Sequence, residues 1–289
     1  MDILIKTQAI GGSYFMKEFN ITLTNGVKMP ILGLGVYKTL DAAEMQRAVT
    51  AAADAGYRSF DTAQMYGNEA LLGNALARIS VPRSRIFLTS KINTTNMSYE
   101  KALASFQESL RNLRTDYLDL LLIHWPGQKR TRLADTWRAL EKLYRDGSVR
   151  AIGMSNAEIR HLRWLHEDSE IAPMLNQIER HPLLNEAPLA AWCRQHEIAL
   201  EAWGPLLRGH MDLPEISAMA ARYQRTPAQI ILRWDIQSGY IVIPKSVHEE
   251  RIRENANIFD FALAPADMKA LDAMDTGHHT SWDPESYDF

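Results

Sequence analysis

The sequence predicts a single (β/α)8 TIM barrel with a β-hairpin at its bottom, on three observations. Its 289 residues are close to the roughly 250 that one such barrel needs. From Ile31 onward, eight short runs of branched apolar residues alternate with longer stretches of helical periodicity, the pattern of repeated βα units around a parallel sheet. The polar residues that end these runs recur one unit apart: Asp61, Lys91 and His124 are separated by 30 and 33 residues.

Taken in order, residues 19–23 and 27–29 flank Asn25-Gly26, a strong short hairpin signal, and a hairpin there can plug the bottom of the barrel. Strands are expected over 31–37, 58–63, 86–92, 117–124, 149–155, 174–179, Ala199–Trp203 and 240–244. The fourth is almost continuously apolar, as a strand covered on both faces must be. Helices over 41–55, 98–114 and 133–146 each leave one apolar stripe to face inward. Asp41 and Ser98 are placed to cap their helices, and Gly56 and Gly147 to end theirs. Eight units could also open into a doubly wound sheet. Even spacing and the lack of a dinucleotide fingerprint favour the barrel, since Gly33-Leu34-Gly35-Val36-Tyr37-Lys38 has no third glycine and opens no helix. The domain is assigned to residues 19–289, and residues 1–18 to a disordered N-terminal extension, with Met16 an alternative initiator.

Composition removes several function classes. With 32 Lys and Arg against 35 Asp and Glu, no basic excess exists to neutralise a nucleic acid backbone. The single cysteine, Cys193, excludes an internal disulfide, reads as helix packing, and fits a reducing compartment. Neither a signal peptide nor a run of about 18 apolar residues is recognisable, so a cytoplasmic protein off the membrane is expected. Walker, Cys-x-x-Cys and His-Glu-x-x-His patterns are missing, which leaves phosphate-loop and zinc chemistry without support and predicts no metal.

In this fold the active site gathers at the carboxyl ends of the strands. Asp61, Lys91, His124, Ser155 with Asn156, Gln177, Trp203 and Lys245 fall there in turn, forming a polar ring around one mouth. Singly, Asp61 reads as a helix cap, Lys91 as a surface charge and His124 as a core histidine. Together they read as a site. A lysine ending an apolar strand is costly without a partner, and Asp61, taken to stand two strand positions round the barrel, can supply one.

The stretch from Gly56 to Glu69, with Phe60-Asp61-Thr62-Ala63 and Tyr66-Gly67-Asn68 inside it, resembles the signature of the aldo-keto reductase family. Leu88-Thr89-Ser90-Lys91, Leu122-Ile123-His124-Trp125-Pro126 and Ile152-Gly153-Met154-Ser155-Asn156 resemble its later blocks in order, and Ile243-Pro244-Lys245-Ser246 with Arg251 and Asn255 resembles its coenzyme motif. The likeness runs from Phe19 to the C-terminus. Glu201-Ala202-Trp203-Gly204-Pro205-Leu206 is similar to bacterial members that reduce diketogluconate, glyoxals and related dicarbonyls.

The resemblance implies NADPH-dependent reduction of small aldehydes, ketones or dicarbonyls by a monomer. Tyr66 would protonate the carbonyl oxygen, Lys91 would lower its pKa, Asp61 would hold Lys91, and His124 would direct the substrate oxygen. Ser155, Asn156 and Gln177 would hold the nicotinamide carboxamide, Trp203 would stack on the ring, and Pro205 and Leu206 would flank the cofactor. Lys245, Ser246 and Arg251 bring two cations and a hydroxyl to a helix N-terminus, suited to a 2′-phosphate, with Asn255 facing adenine. Tyr37, Tyr66, His124 and Trp125 are expected to line the substrate pocket, and residues 277–282 to fold over it. Lys129, Arg130 and Arg132 read first as a solvated charge run and second as attraction for keto acids. Tyr37 stands where many members have Trp, and Trp203-Gly204 where they have an aromatic-Ser pair. Two other readings stay open: an NADPH-binding sensor with little turnover, and a Schiff-base lyase using Lys91.

Overall fold

The computed structural model describes residues 19–289. The expected extension over residues 1–18 lies outside them. Strands β1 (Asn20–Thr22) and β2 (Lys28–Pro30) form an antiparallel hairpin. Its loop is Thr24-Asn25-Gly26: the Gly26 amide bonds to Leu23 O, and Gly26 adopts φ +84°, which a residue without a Cβ reaches at no steric cost. Asn25 Nδ2 then donates to the carbonyl of Arg150, 2.8 Å away, tying the hairpin across the amino ends of the strands.

Eight parallel strands follow: β3 (Gly33–Gly35), β4 (Ser59–Asp61), β5 (Phe87–Ile92), β6 (Leu120–Ile123), β7 (Ile152–Ser155), β8 (Leu175–Glu179), β9 (Ala199–Trp203) and β10 (Ile241–Val242). Each pairs with the next. The ring closes where Val242 N donates to Ile31 O at 2.9 Å and Gly35 N to Pro244 O at 3.3 Å. Gly35 is required at this seam, because a Cβ there would lie 2.9 Å from the carbonyl oxygen of Ile243. Each strand falls inside its expected segment; the regular ladders are shorter because chain ends at both rims leave it to form loops.

The outer layer comprises α1 (Ala42–Asp54), α2 (Glu69–Leu76), α3 (Tyr99–Leu113), α4 (Arg130–Arg145), α5 (Ile159–Asp168), α6 (Ala187–Gln195), α7 (Pro214–Tyr223), α8 (Pro227–Gln237), α9 (Glu249–Ala256) and α10 (Pro265–Asp272). The expected caps are present. Asp41 accepts from the Glu44 amide at 2.8 Å and Ser98 from that of Lys101 at 3.4 Å. Gly56 and Gly147 take positive φ after α1 and α4, and the amides of Tyr57 and Ser148 reach back to Ala52 O and Leu143 O, closing both helices with Schellman turns. Helix α4 starts at Arg130, one turn before the expected 133. Two helices stand outside the eightfold repeat: α7 and α10 pack against α8 around Ile216, Met219, Ile230, Trp234 and Leu271, a satellite core beside the main one.

Cys193 is buried on α6, where burial pushes its thiol up to about 12, in keeping with a packing role. Among the described residues, no helix is long and apolar enough to cross a membrane, and no group of three His, Cys, Asp or Glu could hold a metal ion.

Candidate active site

At the carboxyl end of the barrel, Asp61 closes β4, Lys91 lies near the end of β5 and His124 follows β6. Lys91 Nζ lies 2.5 Å from Asp61 Oδ1, 3.0 Å from the carbonyl of Thr62 and 3.5 Å from the hydroxyl of Tyr66. Its three protons therefore have three acceptors. Strands β4 and β5 are direct neighbours, so Asp61 stands one strand from Lys91 and not two. Burial alone would lower the Lys91 ammonium, but the facing Asp61 and Tyr66 outweigh it and hold it above its ordinary range.

Tyr66 ends a 3₁₀ turn (Gln64–Tyr66) between β4 and α2. Gln64 fixes that turn: its Oε1 accepts from Asn93 N and Asn96 Nδ2, and its Nε2 donates to Ser109 Oγ. Asn68 Nδ2 donates to the carbonyls of Val36 and Thr39, while its Oδ1 accepts from Thr62, locking the same loop to the one that carries Tyr37. Burial pushes the Tyr66 phenol up to about 12, with Lys91 pulling down and Asp61 pushing up. The expected acidifying effect of Lys91 is thus present but smaller than the opposing cost of placing a phenolate out of water. His124 is buried, its ring set edge-on to that of Tyr66 at 5.5 Å. Burial, with the Lys91 charge behind it, holds its imidazole well below the ordinary range, so the ring is neutral.

The next three strand ends form a connected polar network. Asn156, in the left-handed region at φ +59°, donates through Nδ2 to His124 O and Ser155 Oγ and accepts from Trp203 Nε1 at 2.8 Å. Its amide fixes Trp203, leaving that half-exposed indole held at one end. Gln177 Nε2 donates to Asp61 Oδ2 at 2.9 Å and to Glu201 Oε2 at 2.7 Å. Sequence reasoning passed over Glu201, although a carboxylate in the middle of the apolar β9 was a signal. Burial and the nearby Asp61 push it up to about 8.

Around this centre the other expected residues fall as follows. Tyr37 is 45% exposed, its ring 4.9 Å from that of Tyr66. Pro205 is buried and Leu206 half-buried just beyond β9. Lys245 and Arg251 are exposed and have no ion pair among the described residues, while Ser246 and Asn255 are buried. Ser246 Oγ accepts from His248 N, and the first turn of α9 carries Glu249 and Glu250. These two carboxylates meet the helix dipole, so attraction for an anion here must come from the Lys245 and Arg251 side chains and not from the helix end.

Trp125, expected to line the pocket, lies under the C-terminal tail. It is 4% exposed, covered edge-on by Trp282 at 5.8 Å and Tyr287 at 4.9 Å, which stack on each other. The tail is strapped down by Gln128 Nε2, which donates to the carbonyls of Pro284, Glu285 and Tyr287, and by Arg132, bonded to Phe289 O and Asp288. Arg130 pairs with Asp168 and Glu167. Arg130 and Arg132 therefore serve as structural ion pairs and not as a free charge run; Lys129 stays exposed.

The sequence profile of the aldo/keto reductase family matches residues 31–276. The chain belongs to that family. A glyoxal reductase of Bacillus subtilis (strain 168) is 47% identical over 92% of this chain and 96% of its own length. A methylglyoxal reductase, DkgA, of Yersinia pestis is 44% identical over 92% and 96%. A crystal structure of a Gox0644 variant in complex with NADPH superposes with a TM-score of 0.89 at 38% identity, covering 94% of this chain and 99% of that one. This aldo/keto reductase is accordingly an oxidoreductase built on a (β/α)8 barrel.

Proposed function

We propose that this aldo/keto reductase uses NADPH to reduce small aldehydes and dicarbonyls of the glyoxal type, with Tyr66 as proton donor. The observation that carries the reading is the buried chain Asp61–Lys91–Tyr66 beside a neutral His124. A donor must hold its proton at working pH, which a phenol with a pKa of about 12 does. Lys91 then stabilises the phenolate as the proton leaves for the carbonyl oxygen. His124 directs that oxygen by hydrogen bonding.

The bound nicotinamide supplies the hydride that reaches the carbonyl carbon. The residues present fit it: Trp203 offers an indole face held by Asn156, and among the described residues Gln177 keeps an amide oxygen without a partner and Lys245 and Arg251 pair with no carboxylate. The two cations favour a coenzyme with a 2′-phosphate. The relatives named for glyoxal and methylglyoxal reduction support the substrate class, and the Gox0644 complex supports NADPH.

A Schiff-base lyase is disfavoured by the same geometry, because an ammonium with three acceptors and a raised pKa offers no neutral amine to a carbonyl. The test is NADPH consumption against methylglyoxal, phenylglyoxal, glyceraldehyde and 2,5-diketogluconate. Turnover supports reduction and ranks the substrates; NADPH binding without turnover on any of them would support the sensor reading instead.

A further inference from the structure

Glu201 has no part in the proton transfer outlined above, yet it is wholly buried in the middle of β9, two residues before Trp203 and so on the same face of the strand. Its Oε2 takes one N–H of Gln177, and Asp61 Oδ2 takes the other. An amide nitrogen has two protons, and both are used. Turning the amide over would set Oε1 against Asp61 Oδ2 and leave that oxygen without its donor, while the two N–H groups would lose both acceptors. With one acceptor, an amide can rotate and keep its bond. Two acceptors on different strands, β4 and β9, fix both its direction and its flip. Oε1 is the end that has no partner among the described residues.

We propose that Glu201 is a positioning residue for coenzyme recognition: with Asp61 it locks Gln177 so that only the amide oxygen is offered, and Gln177 then accepts an N–H from the nicotinamide carboxamide. This rests on Gln177 being the carboxamide contact. Asp61 consequently serves two partners, one oxygen for Lys91 and the other for Gln177, which couples the group that holds the coenzyme to the group that sets the charge beside Tyr66.

The test compares the binding of NADP+ and of its 3-acetylpyridine analogue by titration calorimetry. The analogue keeps the carbonyl and replaces the amide nitrogen by a methyl group, so it cannot donate to Gln177. The unsubstituted protein is expected to prefer NADP+ by about tenfold, the worth of one buried hydrogen bond. In Glu201→Leu, which keeps the bulk and removes the acceptor, that preference should fall to about twofold. Glu201→Gln, which keeps an acceptor oxygen, should restore most of it. Should the leucine variant fail to fold, Glu201→Ala replaces it. A merely structural role would weaken both nucleotides equally and leave the ratio unmoved, and an unmoved ratio overturns the proposal while leaving Gln177 as the contact. No preference in the unsubstituted protein, or the same preference in Gln177→Leu, removes the reading of Gln177 itself and the proposal with it.

Discussion

The ammonium of Lys91 stands 2.5 Å from Asp61 Oδ1, on adjacent strands, with the two side chains 0% and 3% exposed. A pair this deep holds the fold and the chemistry together. Asp61→Asn preserves shape but leaves an uncompensated buried cation, and is expected to cost about 3 kcal/mol in urea unfolding. Removing both charges in Asp61→Leu/Lys91→Met should cost less than the single change, and still abolish reduction. A double variant no more stable than Asp61→Asn would place the cost in packing or in the Gln177 N–H that Asp61 also accepts, and not in the orphaned charge.

Tyr66→Phe keeps the ring against Tyr37 and His124 and removes the proton that the proposed reaction needs. Reduction of methylglyoxal should fall by at least about a hundredfold. The dissociation constant for NADPH should stay within about twofold, since no coenzyme contact is assigned to the phenol; a parallel loss of binding would reassign Tyr66 to the coenzyme.

Arg251 is exposed near the start of α9 and pairs with no carboxylate among the described residues. Arg251→Ala should weaken NADPH about tenfold, as loss of a charge-assisted contact does, and leave NADH nearly unchanged. Equal losses for the two, measured by fluorescence titration, would mean that the 2′-phosphate is held elsewhere.

Three carboxyls, Glu201 and Asp235 buried and Glu158 half-buried, hold their protons far above the ordinary carboxylate range: Glu201 and Glu158 at about 8 and Asp235 at about 7, in each case mainly through removal from water. The folded state thus binds more protons than the unfolded chain from pH near 4.5 upward, so stability is fully present below that value and declines as pH rises through about 8. Urea midpoints should drop between pH 5.5 and 8.5. In Glu201→Gln the drop should be shallower, because that site no longer titrates.

Gln128 is the residue on which the tail converges, one amide nitrogen serving three carbonyls. Gln128→Ala should raise hydrogen exchange in residues 282–289 and uncover Trp125, seen as a red shift in tryptophan emission. On the proposed pocket lined by Tyr37, Tyr66, His124 and Trp125, the KM for phenylglyoxal should rise more than that for methylglyoxal, because its ring is expected to extend toward Trp125.

Most of the frame was legible because it rests on local rules. Alternating runs gave eight strands, Asp41 and Ser98 gave helix starts, and Gly56 and Gly147 gave helix ends. The ring of site residues followed from one fact of topology, that all strand ends of a parallel barrel share a rim. What stayed hidden depends on which way a side chain turns. Glu201 was read as part of a family-like block, since nothing in one dimension says that its carboxyl meets Gln177 across the sheet. Trp282 falls within the stretch expected over the pocket, whereas the share of Tyr287 in covering Trp125, some 160 residues further on, depends on how the tail turns back. The phenol of Tyr66 read as acidified because a neighbouring cation is visible in sequence, whereas the depth of burial that outweighs it is not.

The seam at Gly35 has a kinetic consequence. The first barrel strand hydrogen-bonds to the last, joining residues 31–35 to 242–245 across some 210 positions of chain. Until that distance is crossed, β3 and β10 are bare edges, each a template for pairing with another molecule. Such long-range pairing is slow. Gly35→Ala, which crowds the carbonyl of Ile243, should therefore betray itself first during refolding, as a lower yield that depends on protein concentration, before it is felt in the finished enzyme.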